Sequence, residues 1–166
     1  MMRIGLMADT HDNVHMVDKA VKVFNEYEVS LVLHAGDIVS PFVPRWFKGL
    51  RCKLIGVFGN NENERRMLVE RFGKMGHELR GHFTVINVGG KRIALLHGHE
   101  AELLDFTISS GYFDYVVYGH THEVRLEEVR GTLVINPGET CGYLSGRATI
   151  ALLEPLTGEV KIYDLK

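Results

Sequence analysis

Five times in this chain an apolar run, mostly carrying β-branched residues, stops at a short loop built from Gly, Asp, Asn and His. The first run, Ile4-Gly5-Leu6, leads into Met7-Ala8-Asp9-Thr10-His11-Asp12-Asn13. The later loops are Gly36-Asp37, Gly59-Asn60-Asn61-Glu62, His97-Gly98-His99 and Gly119-His120-Thr121-His122. A strand that ends in Asp-x-His sets a carboxylate and an imidazole side by side at its carboxyl end, where ligands bind in an open α/β sheet. Asp and neutral His both ligate divalent transition metals. One such loop is weak evidence, because short acidic loops with a stray His are common. Their repetition points to one shared site.

Periodicity orders the elements. Residues 2–8 read as a strand buried on both faces, and Val14, Val17, Ala20, Val21 and Phe24 recur at the helical period over 14–27, with Asn13 placed to cap the helix. Residues 30–34 form the next strand, giving a βαβ unit with a parallel pair and a right-handed crossover. Residues 41–50 predict a short helix with Pro44 in its first turn. Its Phe42, Val43, Trp46 and Phe47 suit either core packing or a self-association surface. A third strand spans 53–57, and a helix over 65–72 points Met67, Leu68 and Phe72 inward; Gly73, Gly76 and Gly81 punctuate the link that follows.

The second half is richer in strands. Residues 83–88 and 92–96 flank Gly89-Gly90, a hairpin signal. A helix over 100–109 follows, then strands over 115–118, 124–129, 133–135, 148–153 and 160–163. Asn136-Pro137-Gly138 predicts a turn that ends its strand, and residues 155–158 close a last hairpin. The alternation βαβαβ followed by antiparallel strands predicts an α/β fold of two packed sheets with helices outside, as one domain over 1–166.

Composition narrows the function. A net charge of −2 leaves no electrostatic footprint for nucleic acid or an anionic membrane. The first apolar stretch breaks at Asp9, too early for a signal peptide, and no run could span a bilayer, so a cytoplasmic location is expected. Cys52 and Cys141 lack metal-finger spacing and read as free thiols. The unusual count is His, at nine. Heavy use of His beside sparing use of Cys suits a His/carboxylate metal site.

The candidate ligands are Asp9, His11, Asp37, Asn60, His97, His120 and His122. They exceed the four of a closed zinc site and suit two adjacent ions with one carboxylate shared. Mixed nitrogen and oxygen donors favour manganese, nickel, iron, cobalt or zinc over calcium or magnesium. Two such ions about 3.5–4 Å apart serve in-line displacement at phosphorus, with a water or hydroxide held by the ions as nucleophile.

The order Asp-x-His, Gly-Asp, Gly-Asn, His-Gly, Gly-His-x-His resembles the calcineurin-like metallophosphoesterases. Compact length and the Asn-Pro-Gly make the chain similar to their small bacterial and archaeal phosphodiesterase branch, from Met2 to the carboxyl terminus. The resemblance implies an α/β/β/α sandwich of mixed sheets with helices on the outer faces. It implies one divalent ion on Asp9, His11 and His122, a second on Asn60, His97 and His120, and Asp37 bridging them, with manganese the leading metal. It departs in one place: nuclease and protein-phosphatase relatives carry His directly after the Gly-Asn, and here that position is Asn61. Losing that acid implies a loss of about 10²–10⁴ in rate for poor leaving groups. Asn61 remains a donor for a phosphate oxygen, and His99 is the substitute acid. Catalytic roles therefore fall to Asp37, Asn60, Asn61 and His99.

The remaining groups have plainer readings: His15, His77 and His82 as surface or satisfied core residues, His34 as structural, Glu62 as support for the Asn60 loop or as the start of a helix, and Glu139 and Thr140 as pocket lining. The expected substrate is a small phosphodiester, since no basic track for nucleic acid is evident. A homodimer or larger homo-oligomer is expected from the 41–50 stretch and from family habit. The alternative function is a catalytically silent scaffold of the same fold, but all seven ligand positions hold competent donors.

Overall fold

In the computed structural model residues 2–166 are described, and Met1 lies outside them. The chain runs β1 (Ile4–Met7), α1 (Val14–Glu26), β2 (Leu31–His34), a 3₁₀ turn (Val43–Phe47), β3 (Lys53–Gly56), α2 (Arg65–Gly73), β4 (Glu78–Leu79), β5 (Phe83–Val88) and β6 (Lys91–Leu96). It continues through α3 (Ala101–Ser109), β7 (Tyr115–Val117), β8 (Val124–Val129), β9 (Thr132–Pro137), β10 (Thr149–Glu154) and β11 (Glu159–Asp164).

Alternation in the strands decides the layering. Ile4 and Leu6 of β1, Leu31 and Leu33 of β2, and Ile55 of β3 face a second sheet, where Ile86, Ile93, Leu95, Tyr115, Val117 and Ile135 meet them. Met7, Val32 and Leu54 point the other way, onto Val17, Val21 and Phe24 of α1, Phe47 of the 3₁₀ turn, and Leu68 and Phe72 of α2. Gly5 lets that helix close in, because a Cβ there would stand 2.5 Å from the Phe24 ring. On the far side Leu104 and Ile108 of α3 cover Ala94, Leu96, Val116 and Val134. The result is helix, sheet, sheet, helix, as expected.

The first sheet has the order β11-β10-β1-β2-β3-β4 and the second β5-β6-β7-β9-β8. In the first, β1 to β4 are parallel and β10 and β11 antiparallel. The second departs from the antiparallel reading: β6, β7 and β9 are parallel, flanked by antiparallel β5 and β8. Within each sheet the parallel strands deliver their carboxyl-end loops to one end.

Four local expectations change. Residues 41–50 hold a 3₁₀ turn in place of the expected short α-helix, and it divides its apolar side chains: Val43 and Phe47 are buried, while Phe42 is 65% exposed beneath the Arg71 guanidinium. In α2 only Leu68 and Phe72, one turn apart, face inward, and Met67 turns to solvent. The link after α2 contains β4, too short to carry a periodic signal. Finally, β9 runs through Asn136 and Pro137. Its neighbour β7 pairs only as far as Ile135, so Pro137 stands where pairing is one-sided, a place that tolerates proline.

Candidate metal centre

The loops after β1, β2, β3, β6, β7 and β9 knit together through their backbones. Asp9 N donates to Gly36 O and His11 N to Asp37 O, while Gly119 N donates to His97 O. Across the sheets Thr140 N donates to Ala8 O and Cys141 N to Asp9 O. The loops approach too closely for extra atoms: a Cβ on Gly59 would stand 2.0 Å from Asp37 Oδ1, and one on Gly119 2.7 Å from Asp9 Oδ2. Asp9, His11, Asp37, His120 and His122 all hold left-handed φ angles without being glycine. Such backbone is costly, and it gathers where side chains must be aimed.

Asp9 and Asp37 form the centre. Asp37 Oδ2 lies 3.3 Å from His11 Nε2 and 3.3 Å from His97 Nε2, so one oxygen sits between imidazoles brought by the two sheets. Asp9 Oδ1 lies 3.5 Å from His122 Nε2, 3.7 Å from His11 Nε2 and 3.9 Å from His97 Nε2. Among the described residues Asp9 Oδ1 and His11 Nε2 are buried without a hydrogen-bond partner. Two orphaned atoms that can each offer a lone pair at that separation fit a cation between them. Asp9, His11 and His122 form one such donor group and Asp9, Asp37 and His97 another, each with its ligand atoms within 4.8 Å of one another. Asn60 Oδ1 lies 3.0 Å from His97 Nε2 and extends the second group. His120 stands farther out: its ring packs edge-on to His97 with centroids 5.1 Å apart, while its backbone N–H donates to Asp9 Oδ2.

The electrostatics of this pocket favour positive charge. The neighbouring carboxylates of Asp37 and then Asp9 push His11 up to about 10. Burial works against charge on His97, yet Asp37 outweighs it and raises that imidazole too. Burial likewise opposes charge on Asp37, but His11 and His97 hold its carboxyl far below the usual carboxylate range. Protons here occupy the place of a cation, so metal loading and proton release are linked.

Each inner group is held from behind. His97 Nδ1 donates to Ala35 O at 2.8 Å, which turns Nε2 toward the centre. His122 Nδ1 lies 2.6 Å from Glu139 Oε2, an arrangement that orients and enriches a metal-binding imidazole. Glu139 is fully buried and also accepts from Leu144 N, Ser145 N and Ser145 Oγ. Burial resists its charge, but the bonds from Ser145 and His122 prevail and hold it near 2. Cys141 completes a third donor group with His122 and Glu139. Its thiol is pushed up to about 12, by burial first, and donates to Glu139 Oε2 at 3.2 Å, so that group is support for His122. Asn61 gives Asp37 two bonds, backbone N to Oδ1 at 3.1 Å and Nδ2 to Oδ2 at 2.7 Å.

Further supports lie behind the loops, and two of them, Glu62 and His34, take the structural parts expected of them. Glu62 straps two loops, accepting from Ile38 N at 2.5 Å and Gly59 N at 2.7 Å. His34 is fully buried; its Nδ1 accepts from Gly36 N, and its Nε2 faces Thr10 Oγ1, which donates to Asp37 O. Burial, helped by His97, lowers it to about 3, a neutral structural imidazole as expected. His99 stands at the rim, its ring 5.5 Å from His97 and 6.2 Å from His120. His82 joins it at 6.1 Å, so His82 belongs beside the site and not among the bland surface histidines. Its signal was the dipeptide Gly81-His82, which has the form of Gly119-His120.

The calcineurin-like phosphoesterase superfamily domain matches residues 2–158. Phosphodiesterase MJ0936 of Methanocaldococcus jannaschii is 43% identical over 154 residues, spanning 92% of this chain and 93% of that protein. A solved structure described as a novel archaeal phosphodiesterase superposes with a TM-score of 0.94 at 40% identity, covering 98% of this chain and 99% of its own. Vps29 of Chaetomium thermophilum shares the fold alone, with a TM-score of 0.73 at 15% identity over 99% of this chain and 96% of its own.

Proposed function

This chain belongs to the calcineurin-like phosphoesterase superfamily, and from that membership and the geometry of its loops we propose that it hydrolyses small phosphodiesters at a centre of two divalent metal ions. The observation that carries the reading is the position of Asp37 Oδ2, equidistant from His11 and His97. Asp9, His11 and His122 would hold one ion, and Asn60, His97 and His120 the other, with Asp37 between; the unpartnered Asp9 Oδ1 supports the same arrangement. When bound, the ions supply Lewis acidity toward a phosphoryl oxygen and lower the pKa of water to roughly 7. The mixed donors suit manganese, nickel, iron, cobalt or zinc, and the family resemblance puts manganese first.

The chain's own groups then divide the remaining work. Asn61 fixes the orientation of Asp37 and keeps a second amide hydrogen for a phosphate oxygen. His99 is depressed by burial and then by His97, so it is neutral at pH 7 and has one N–H to give. It serves the leaving oxygen as a hydrogen-bond donor at neutral pH and as an acid below it. Beside His122 a cleft of about 240 Å³, lined by Glu123, Val124, Ser145 and Arg147, has room for a small organic group. The mild net charge of −2 supports small diesters over a nucleic-acid backbone. No described helix is long and apolar enough to cross a membrane. A cytoplasmic, reducing setting, in which Cys52 and Cys141 stay thiols, belongs to the same proposal.

The test strips the protein with chelator, restores manganese and measures hydrolysis of bis(p-nitrophenyl) phosphate. Its activated leaving group needs no acid after Asn60. Metal-restored turnover is expected. A folded protein that stays silent with manganese, nickel, iron, cobalt and zinc alike would overturn the reading in favour of a scaffold.

A further inference from the structure

Away from the metal centre, on the outer face of the second sheet, lies an apolar groove of about 440 Å³ lined by Phe83, Leu103, Phe106, Ser110, Tyr112 and Phe113. Its walls are unusually open for such residues: Phe106 is 72% exposed, Tyr112 57% and Phe83 37%. Aromatic groups concentrated on one surface mark interfaces. The rings are already braced, Phe83 against Phe113 with centroids 6.2 Å apart and Tyr112 against Phe113 at 5.1 Å. The groove is therefore held open by its own packing, with Phe106 projecting beside it.

Charge is arranged across this face. Leu103, Phe106 and Ser110 follow one another along the groove at three- and four-residue steps of α3, and Glu102 and Asp105 form the adjoining stripe on the side of Phe106 away from the groove. At the opposite edge the Arg92 guanidinium lies 4.1 Å from the centroid of the Tyr112 ring. Neighbouring Lys91 pairs with Asp114, but among the described residues Arg92, Glu102 and Asp105 make no ion pair. Across the face the order is thus acid, projecting Phe106, apolar groove, cation. A surface of that order complements itself under a two-fold rotation, with the projection of one copy entering the groove of the other and acid meeting cation at both ends.

We propose that a second copy of this chain docks here, making an isologous dimer in which Phe106 of each protomer fills the groove of its partner and Arg92 faces the partner's Glu102 and Asp105. The self-association expected from residues 41–50 moves to α3 and the start of β5. Neither the metal centre nor the hydrolytic reading enters, so failure of one leaves the other standing.

Light scattering on the size-exclusion peak, taken across a concentration series, tests it. The expected mass is that of two chains. Phe106→Asp should raise the dissociation constant at least about 30-fold, the scale of a central aromatic anchor. Arg92→Glu and Asp105→Arg should each weaken the dimer about tenfold, and the double variant should recover most of that loss, which a general surface effect would not do. All three positions are outside the metal centre, and circular dichroism with a thermal melt of each variant checks that it is folded. A wild-type chain that stays monomeric at the highest soluble concentration overturns the proposal. So does a dimer indifferent to Phe106→Asp, or charge reversals that fail to compensate.

Discussion

The two sheets bring different chemistry to one place. Loops of the first sheet supply Asp9, His11, Asp37 and Asn60, with both carboxylates at the centre; loops of the second supply the imidazoles of His97, His120 and His122. Their supports differ in the complementary sense. The carboxylates are steadied by donors, His120 N on Asp9 and Asn61 on Asp37. The inner imidazoles are steadied by acceptors, Ala35 O behind His97 and Glu139 behind His122. Two of these supports, His120 N on Asp9 and Ala35 O behind His97, cross from one sheet to the other, so neither half is complete alone. Convergence, more than any single motif, turns a set of acidic and histidine loops into a cation site.

The harshest way to break this arrangement is at the oxygen both halves share. Asp37→Asn keeps the shape but removes the charge between His11 and His97. It should lower kcat/KM on bis(p-nitrophenyl) phosphate at least about 10³-fold, on the order of 4 kcal/mol. His11 should also lose the elevation that Asp37 gives it, visible by NMR titration of the metal-free protein. Full activity with saturating manganese would mean that Asp37 joins nothing.

A smaller effect separates the two kinds of backing. His97 leans on a neutral carbonyl, His122 on a buried carboxylate. Removing such a carboxylate costs about 10–100-fold in metal affinity. Glu139→Ala should approach the upper figure, and Glu139→Gln, which still accepts from Nδ1, the lower; calorimetric titration with manganese reads both. If affinity does not move, Glu139 serves only the 141–147 loop, through Leu144 and Ser145.

What could be read from the chain and what could not divides along physical lines. Asp9, His11, Asp37, Asn60, His97, His120 and His122 each follow closely on an apolar run, and strand direction alone brings such residues together. The layering was equally accessible, because alternation in β1 and the helical period of α1 are local signals. The parallel centre of the second sheet was not, since strand order has no local signature. Glu139 shows the same limit at the site: a carboxylate supporting His122, 17 residues away, carries no periodicity, whereas Glu62 was readable as support for its own Asn60 loop and only its bond to Ile38 was not. Pro137 misleads for the opposite reason, because a strong local signal is overridden by one-sided pairing at a strand end. His120, expected as a ligand of the second ion, stands with its ring 5.1 Å from that of His97 and outside both compact donor groups.

The mildest test asks which half of the scaffold acid loosens first. His34, which ties the β1 loop to the β2 loop through Thr10, is lowered to about 3 by burial, while an unfolded His titrates near 6.5. As pH falls below about 6.5 the unfolded chain takes up a proton that the folded chain refuses, so stability declines by at most about 1.4 kcal/mol per pH unit until the folded group titrates. Glu139 behaves otherwise: held near 2, its contribution is complete above the ordinary Glu range and is lost only as pH falls toward 2. Acid should therefore weaken the first sheet's loops well before the Glu139 support of the second. Urea titrations of the metal-free protein between pH 4 and 6.5, compared with His34→Gln, isolate the difference, because the variant lacks one titrating group and should show the shallower slope. Equal slopes would mean that His34 is protonated in the folded chain, and that the two halves answer acid alike.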